Sequence, residues 1–117
     1  MGHVIGGSNI LKPIPNKIKA IQEIENYVVG ETIASFCQKN ILHDAVLLQF
    51  IIIGESINHV DSEILDKFDY PWYKVRSFRN FIAHEYFNIK LEAVWLIIEE
   101  NLPDLKNMIG LILKNEF

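Results

Sequence analysis

Between Leu42 and Val60 the chain carries a segment that is apolar around most of a helical circumference. A helix of that kind must be covered on several sides, by neighbouring helices or by a second subunit. It cannot sit on a surface with one face in water. The same segment argues against a sheet protein, because neither it nor any other stretch alternates with period two over enough residues. Its best uninterrupted run, Ala45 to Ile53, is nine residues and contains Gln49, well short of the roughly 20 a membrane helix needs. No membrane association is expected.

The flanking segments follow the same helical logic. Asn16 is a candidate N-cap for a first helix whose Ile18, Ile21, Ile24 and Val28 fall on one stripe. Gly30 interrupts it, and a continuation through Ile33 and Phe36 is expected to end near Lys39. Asp61 and Ser62 offer cap chemistry for a short helix, Glu63 to Phe68. Pro71 suits the first turn of a helix over 71–87, with Val75, Phe78 and Ile82 as its core stripe. Asn88 is a candidate cap for a last helix bearing Leu91, Val94, Trp95 and Ile98. Pro103 should bend or restart that helix before Leu105, Met108, Ile109 and Ile112. Short connections between such helices predict an all-α, antiparallel four-helix-type bundle with short extra helices.

With 117 residues, one domain over 16–117 is expected, preceded by a Gly/Pro-rich segment, 1–15, read as an irregular arm or a vector-derived remnant. A single cysteine, Cys37, excludes an internal disulfide and suits a reducing compartment; it reads as packing or an inert thiol. The expectation is a cytoplasmic protein. A net charge of −4 argues against a general coat for nucleic acid. The two arginines, however, are Arg76 and Arg79, just after Lys74, so one basic patch sits on an acidic body.

The chemistry-bearing stretch is Arg76-Ser77-Phe78-Arg79-Asn80-Phe81-Ile82-Ala83-His84-Glu85-Tyr86. Arginine presents a planar fork of donors matched to phosphate oxygens, and histidine changes protonation near neutral pH. Together they suit RNA cleavage: His84 takes the ribose 2′-hydroxyl proton and Arg79 stabilises charge on the phosphate. That chemistry needs no metal or cofactor, and none is expected. Asn80 and His84 are four apart and share a face. Arg79 and His84 are five apart, about 140° around an ideal helix, so a distorted helix, a curled arginine or a second subunit must bring them together. Alone, an arginine and a histidine on a helix face are more often solvated or ion-paired than catalytic, with Glu85 and Asp69 as candidate partners for Arg79. Asp44 and Glu55 lie on one face of the apolar helix and could hold Arg76 or Arg79, or form a solvated stripe. Trp72 and Tyr73 suit core packing or base stacking.

Arg79-Asn80-Phe81-Ile82-Ala83-His84-Glu85-Tyr86 resembles the Arg-x4-His-x-Tyr motif of the HepT-like (DUF86) branch of the HEPN superfamily. The likeness continues through Asp44-Ala45-Val46, Ile52-Ile53-Gly54-Glu55, Pro71-Trp72, Val94-Trp95 and Asn101-Leu102-Pro103-Asp104-Leu105, covering roughly 16–115. At Lys90 the family more commonly shows an acidic or small polar residue. The resemblance implies a dimeric HEPN-like bundle and a ribonuclease toxin whose partner is a nucleotidyltransferase antitoxin of the MNT type. It implies Arg79 and His84 as the catalytic pair, with Asn80 and Arg76 supporting. Tyr86 matches the tyrosine that the antitoxin adenylylates. The alternative is a non-catalytic HEPN dimer that binds a nucleotidyltransferase or a nucleotide.

Overall fold

Gly30 divides what the hydrophobic stripe alone would run together. Its φ of +76° is a left-handed conformation open to glycine, and it ends α1 (Pro13–Tyr27) rather than kinking it. Thr32 then starts a separate short helix, α2 (Ile33–Gln38), through a reciprocal capping box. Its hydroxyl accepts from the Ser35 amide at 3.1 Å while its own amide donates to Ser35 Oγ at 2.9 Å. Glu31 braces the corner by accepting from Ser35 Oγ and pairing with Lys39. The single bent helix expected through residue 39 is therefore two helices.

The computed structural model describes residues 13–116, with side chains from Ile18 onward. Helix α1 begins at Pro13, three residues before the proposed Asn16 cap and inside the segment expected to be irregular; residues 1–12 lie outside the described region. Proline in a first helical turn is tolerated because its missing N–H has no partner there anyway.

The apolar segment forms α3 (Asn40–Asn58), the central helix. Its Val46, Phe50, Ile53 and Ile57 are all buried. By length and hydropathy α3 could cross a membrane, although the shorter run weighed from sequence could not. Here that hydropathy serves the bundle, since α1 packs along one side of α3 and α5 along the other. Asp61 caps α4 (Ser62–Asp66) by accepting from the Glu63 amide at 3.0 Å.

Helix α5 (Trp72–His84) starts after Pro71 as expected but stops three residues short of the expected end, at His84. Tyr86–Asn88 forms a 3₁₀ turn, so Glu85, Tyr86 and Phe87 are off the helix. Asn88 does not cap the next helix: its side-chain amide donates to Glu85, and Lys90 stands at the helix start. Helix α6 (Leu91–Leu96) runs into a π turn, Ile97–Asn101, and then α7 (Leu102–Glu116). Pro103 explains the wide turn. It has no N–H to donate and its ring crowds the carbonyl four residues back, and widening the preceding turn relieves both without ending the helix. Among the described residues there is no strand, and the all-α bundle read from the sequence stands.

The core joins Ile21 and Ile24 of α1, Phe36 of α2, the inner face of α3, Val94 and Trp95 of α6, and Leu105, Ile109 and Ile112 of α7. Phe36 packs against Trp95 with ring centroids 5.4 Å apart. Trp72 belongs to this core rather than to a base-stacking platform. It is buried, and its indole N–H donates to the Leu65 carbonyl at 3.1 Å. Tyr73, next to it, is exposed.

Candidate active site

Helix α5 crosses α3 closely enough that backbone meets side chain. A Cβ built on Gly54 would fall on the Cβ of Arg79 and lie 2.7 Å from its Cγ. No side chain fits there, so Gly54 sets how near α5 can come. One residue later, Glu55 takes the end of the same arginine: its carboxylate pairs with Arg79 Nη2. Arg79 Nη1 donates to Asn80 Oδ1 at 3.0 Å, and Nε–H is buried without a hydrogen-bond partner.

A guanidinium has five N–H donors. With Nη2 engaged by Glu55, Nη1 by Asn80 and Nε buried, one N–H remains on each terminal nitrogen. Those two can fork onto a phosphate, and the side chain is partly exposed to meet one. Glu55 and Asn80 thus aim the group rather than consume it. The partners suggested by nearness in sequence, Glu85 and Asp69, are not the ones used. Of the two readings of the α3 carboxylates, Glu55 follows the arginine-holding one and Asp44 does something else.

His84 is the last residue of α5 and is exposed, with no hydrogen bond among the described residues. Asn80 lies one turn before it on the same face and is exposed. Arg79 reaches Glu55 on α3 while His84 is exposed at the helix end, and no hydrogen bond joins the two within one chain. Arg76 is half-buried and makes no ion pair among the described residues.

Tyr86 stands apart from this cluster. Its hydroxyl donates to Asp44 Oδ1, and its ring meets Phe87 edge-on at 5.1 Å. The Asp44 hydrogen bond, helped by desolvation and by the carboxylate's charge, raises the phenol above the ordinary tyrosine range. The same Asp44 oxygen lies 3.2 Å from His43 Nδ1, in poor alignment for a hydrogen bond. His43 is buried under Phe36, with Nε2 3.1 Å from Asn40 Oδ1.

The larger of the two described cavities, about 420 Å³, opens elsewhere, between α5 and the π turn and α7. Phe50, Ile53, Phe78 and Ile97 line it with Lys74 and Asp104, and none of Arg79, Asn80, His84 or Tyr86 does. It is an apolar cleft, while the chemistry-bearing residues lie on open surface. Among the described residues no three His, Cys, Asp or Glu side chains cluster as metal ligands would. Cys37 is partly buried, and burial pushes its thiol up, with Glu92 adding to the effect, as suits a packing residue.

Sequence reasoning missed Gly54 as a steric requirement and the Asp44–Tyr86 contact. A lone glycine inside an apolar helix was the available signal for the first, since it costs helix stability unless something must approach closely. Nothing local announces the second, whose partners are 42 residues apart.

The model of the ribonuclease HepT-like family matches residues 18–112. The chain belongs to that family, and the HepT-like, HEPN-type fold is thereby established. A protein of Caldanaerobacter subterraneus whose name marks it as a candidate RNase is 28% identical over 108 residues, covering 89% of this chain and 96% of its own length. A Thermococcus cleftensis protein named "Probable ribonuclease HepT" is 26% identical over 97 residues, covering 82% and 86%. A Methanocaldococcus jannaschii protein, named a gamma-glutamylcyclotransferase and candidate RNase, is 30% identical over 93 residues, 79% of this chain. The chain spans less than half of that longer protein, 42% of its length. No solved structure matches the chain.

Proposed function

We propose that this protein is a cytoplasmic, metal-independent endoribonuclease of a toxin–antitoxin pair, acting as a homodimer. The observation that carries the reading is the pairing, at the motif spacing, of a phosphate-ready Arg79 with an exposed His84. Glu55 and Asn80 orient the arginine and leave two N–H groups for substrate. The names of the relatives, RNase and HepT, point the same way. In the reaction, His84 accepts the 2′-hydroxyl proton and the 2′-oxygen attacks the adjacent phosphorus. Arg79 stabilises charge on the non-bridging oxygens, and the 5′-oxygen leaves with a proton, giving a 2′,3′-cyclic phosphate. Arg76 adds a phosphate contact. Because Arg79 and His84 face different ways on one helix, the second copy completes the site. The exposed aromatic residues Tyr73, Phe81 and Phe87 on and after α5 supply apolar surface for that pairing.

The nucleotidyltransferase antitoxin silences the enzyme by adenylylating Tyr86, whose exposed phenol is accessible to it. Incubation with bulk RNA in EDTA tests the ribonuclease reading. The wild type should cleave and leave cyclic phosphate ends, while His84→Ala and Arg79→Ala should each lose about 10²–10⁴-fold. Cleavage by all three proteins, or by none, rejects the assignment and leaves a binding module. Sedimentation should give a dimer.

A further inference from the structure

We propose that Asp44 is the residue that positions Tyr86 for nucleotidylation and takes its proton as the phenol attacks. This rests on the reading of Tyr86 as the modified residue and adds what that reading leaves open: how an unactivated phenol becomes a nucleophile. The contact is specific. Tyr86 lies on a 3₁₀ turn fixed by the Asn88–Glu85 hydrogen bond, and its hydroxyl meets one oxygen of Asp44, from a helix 42 residues earlier. Both residues remain open to solvent, Tyr86 at 40% exposure, so a nucleotide carried by another protein can reach the oxygen. Buried His43 lies beside the same Asp44 oxygen, its Nδ1 3.2 Å away.

Here an exposed phenol is aimed at a carboxylate that can take a proton. In nucleotidyl transfer Tyr86 Oη forms a bond to the α-phosphorus of a nucleoside triphosphate. The bond from that phosphorus to the bridging oxygen breaks, and pyrophosphate departs with the electron pair. The phenol proton passes to Asp44 and then to water. Kinases use an aspartate in the same way towards a substrate hydroxyl. The same contact holds the phenol above the ordinary tyrosine range, which gives it a spectroscopic signature. The titratable groups around it are Asp44 and His43 on α3 and, beside it in the chain, His84 and Glu85.

The test uses the full chain, a purified MNT-type nucleotidyltransferase and α-labelled ATP, with label at Tyr86 located by mass spectrometry. Asp44→Asn can still accept the hydrogen bond but not the proton. Its kcat for labelling should fall about 10²–10⁴-fold with the KM for ATP unchanged. Asp44→Glu should recover part of the rate, and matched melting curves show that the variants fold. Label at wild-type kcat in Asp44→Asn, or a loss confined to KM, overturns this proposal and leaves the modification itself intact. An unlabelled wild type overturns both. A measurement without the partner enzyme is ultraviolet titration of tyrosinate, with Tyr86→Phe identifying the Tyr86 component. That component should move down towards the ordinary tyrosine range in Asp44→Asn, and no movement overturns the proposal.

Discussion

Helix α3 is covered differently on its two sides. Against α1 it meets a dry interface in which Ile21 and Ile24 are wholly buried. On the side of α5 it offers Gly54 and Glu55 to Arg79, packs Phe50 edge-on against Phe78, and bonds Tyr86 just past the helix through Asp44; Val75 and Phe78 are half-buried, and Phe81 stays exposed. The first side holds the molecule together. The second holds polar groups at set places and leaves the outer face of α5 free for other work. A close-packed apolar contact acts on stability, whereas an arginine aimed by one exposed carboxylate acts on position, so the α5 side should respond to mutation more in activity than in stability.

That contrast breaks most readily at the core. Ile24→Ala should cost about 2–5 kcal/mol in denaturant unfolding, while Phe81→Ala on α5 should stay under about 1 kcal/mol. Equal losses would show that the two sides are not distinct. Gly54→Ala comes next: the added methyl drives α5 from α3, with about 1–3 kcal/mol lost. RNA cleavage should fall further than that destabilisation accounts for, because Arg79 moves with the helix. Glu55→Gln sharpens the comparison, since it removes the charge that holds Arg79 without adding bulk. Stability should change by less than about 1 kcal/mol for this partly exposed pair, while kcat for RNA cleavage drops. Thr32→Ala, at the α2 cap, should cost about 1 kcal/mol and leave activity unchanged. The smallest effect concerns Glu31. Ser35 and then Lys39 hold its carboxyl below the ordinary value of 4.5. Its contribution is therefore present at neutral pH and lost as the pH falls through that lowered value. The stability difference between wild type and Glu31→Gln should vanish in acid.

Much of this architecture could be read from the residues. The apolar circumference of 42–60 announced a central helix, and the spacing of Leu105, Ile109 and Ile112 announced another. The errors came where short-range chemistry overrides a stripe. Thr32 and Ser35 start a new helix two residues after Gly30, and α5 ends at His84 where the stripe allowed three more residues. The identities of Arg79, Asn80, His84 and Tyr86 were legible because they sit together in one motif. Their partners were not, because Glu55 and Asp44 are brought to them only by the antiparallel packing of α3 on α5. Spacing along α3 put both carboxylates on one face but could not say which would meet which.

That shared face works as a ruler. Glu55 grips the arginine and Asp44 the tyrosine, and eleven residues of helix place these grips about 16–17 Å apart. Salt at physiological strength damps a surface charge over roughly 8 Å. A bare phosphate on Tyr86 would be felt only faintly at Arg79 of the same chain. What can bridge the gap is length, so under the proposed function a bulky nucleotide on Tyr86 would be a better off-switch than a small anionic tag.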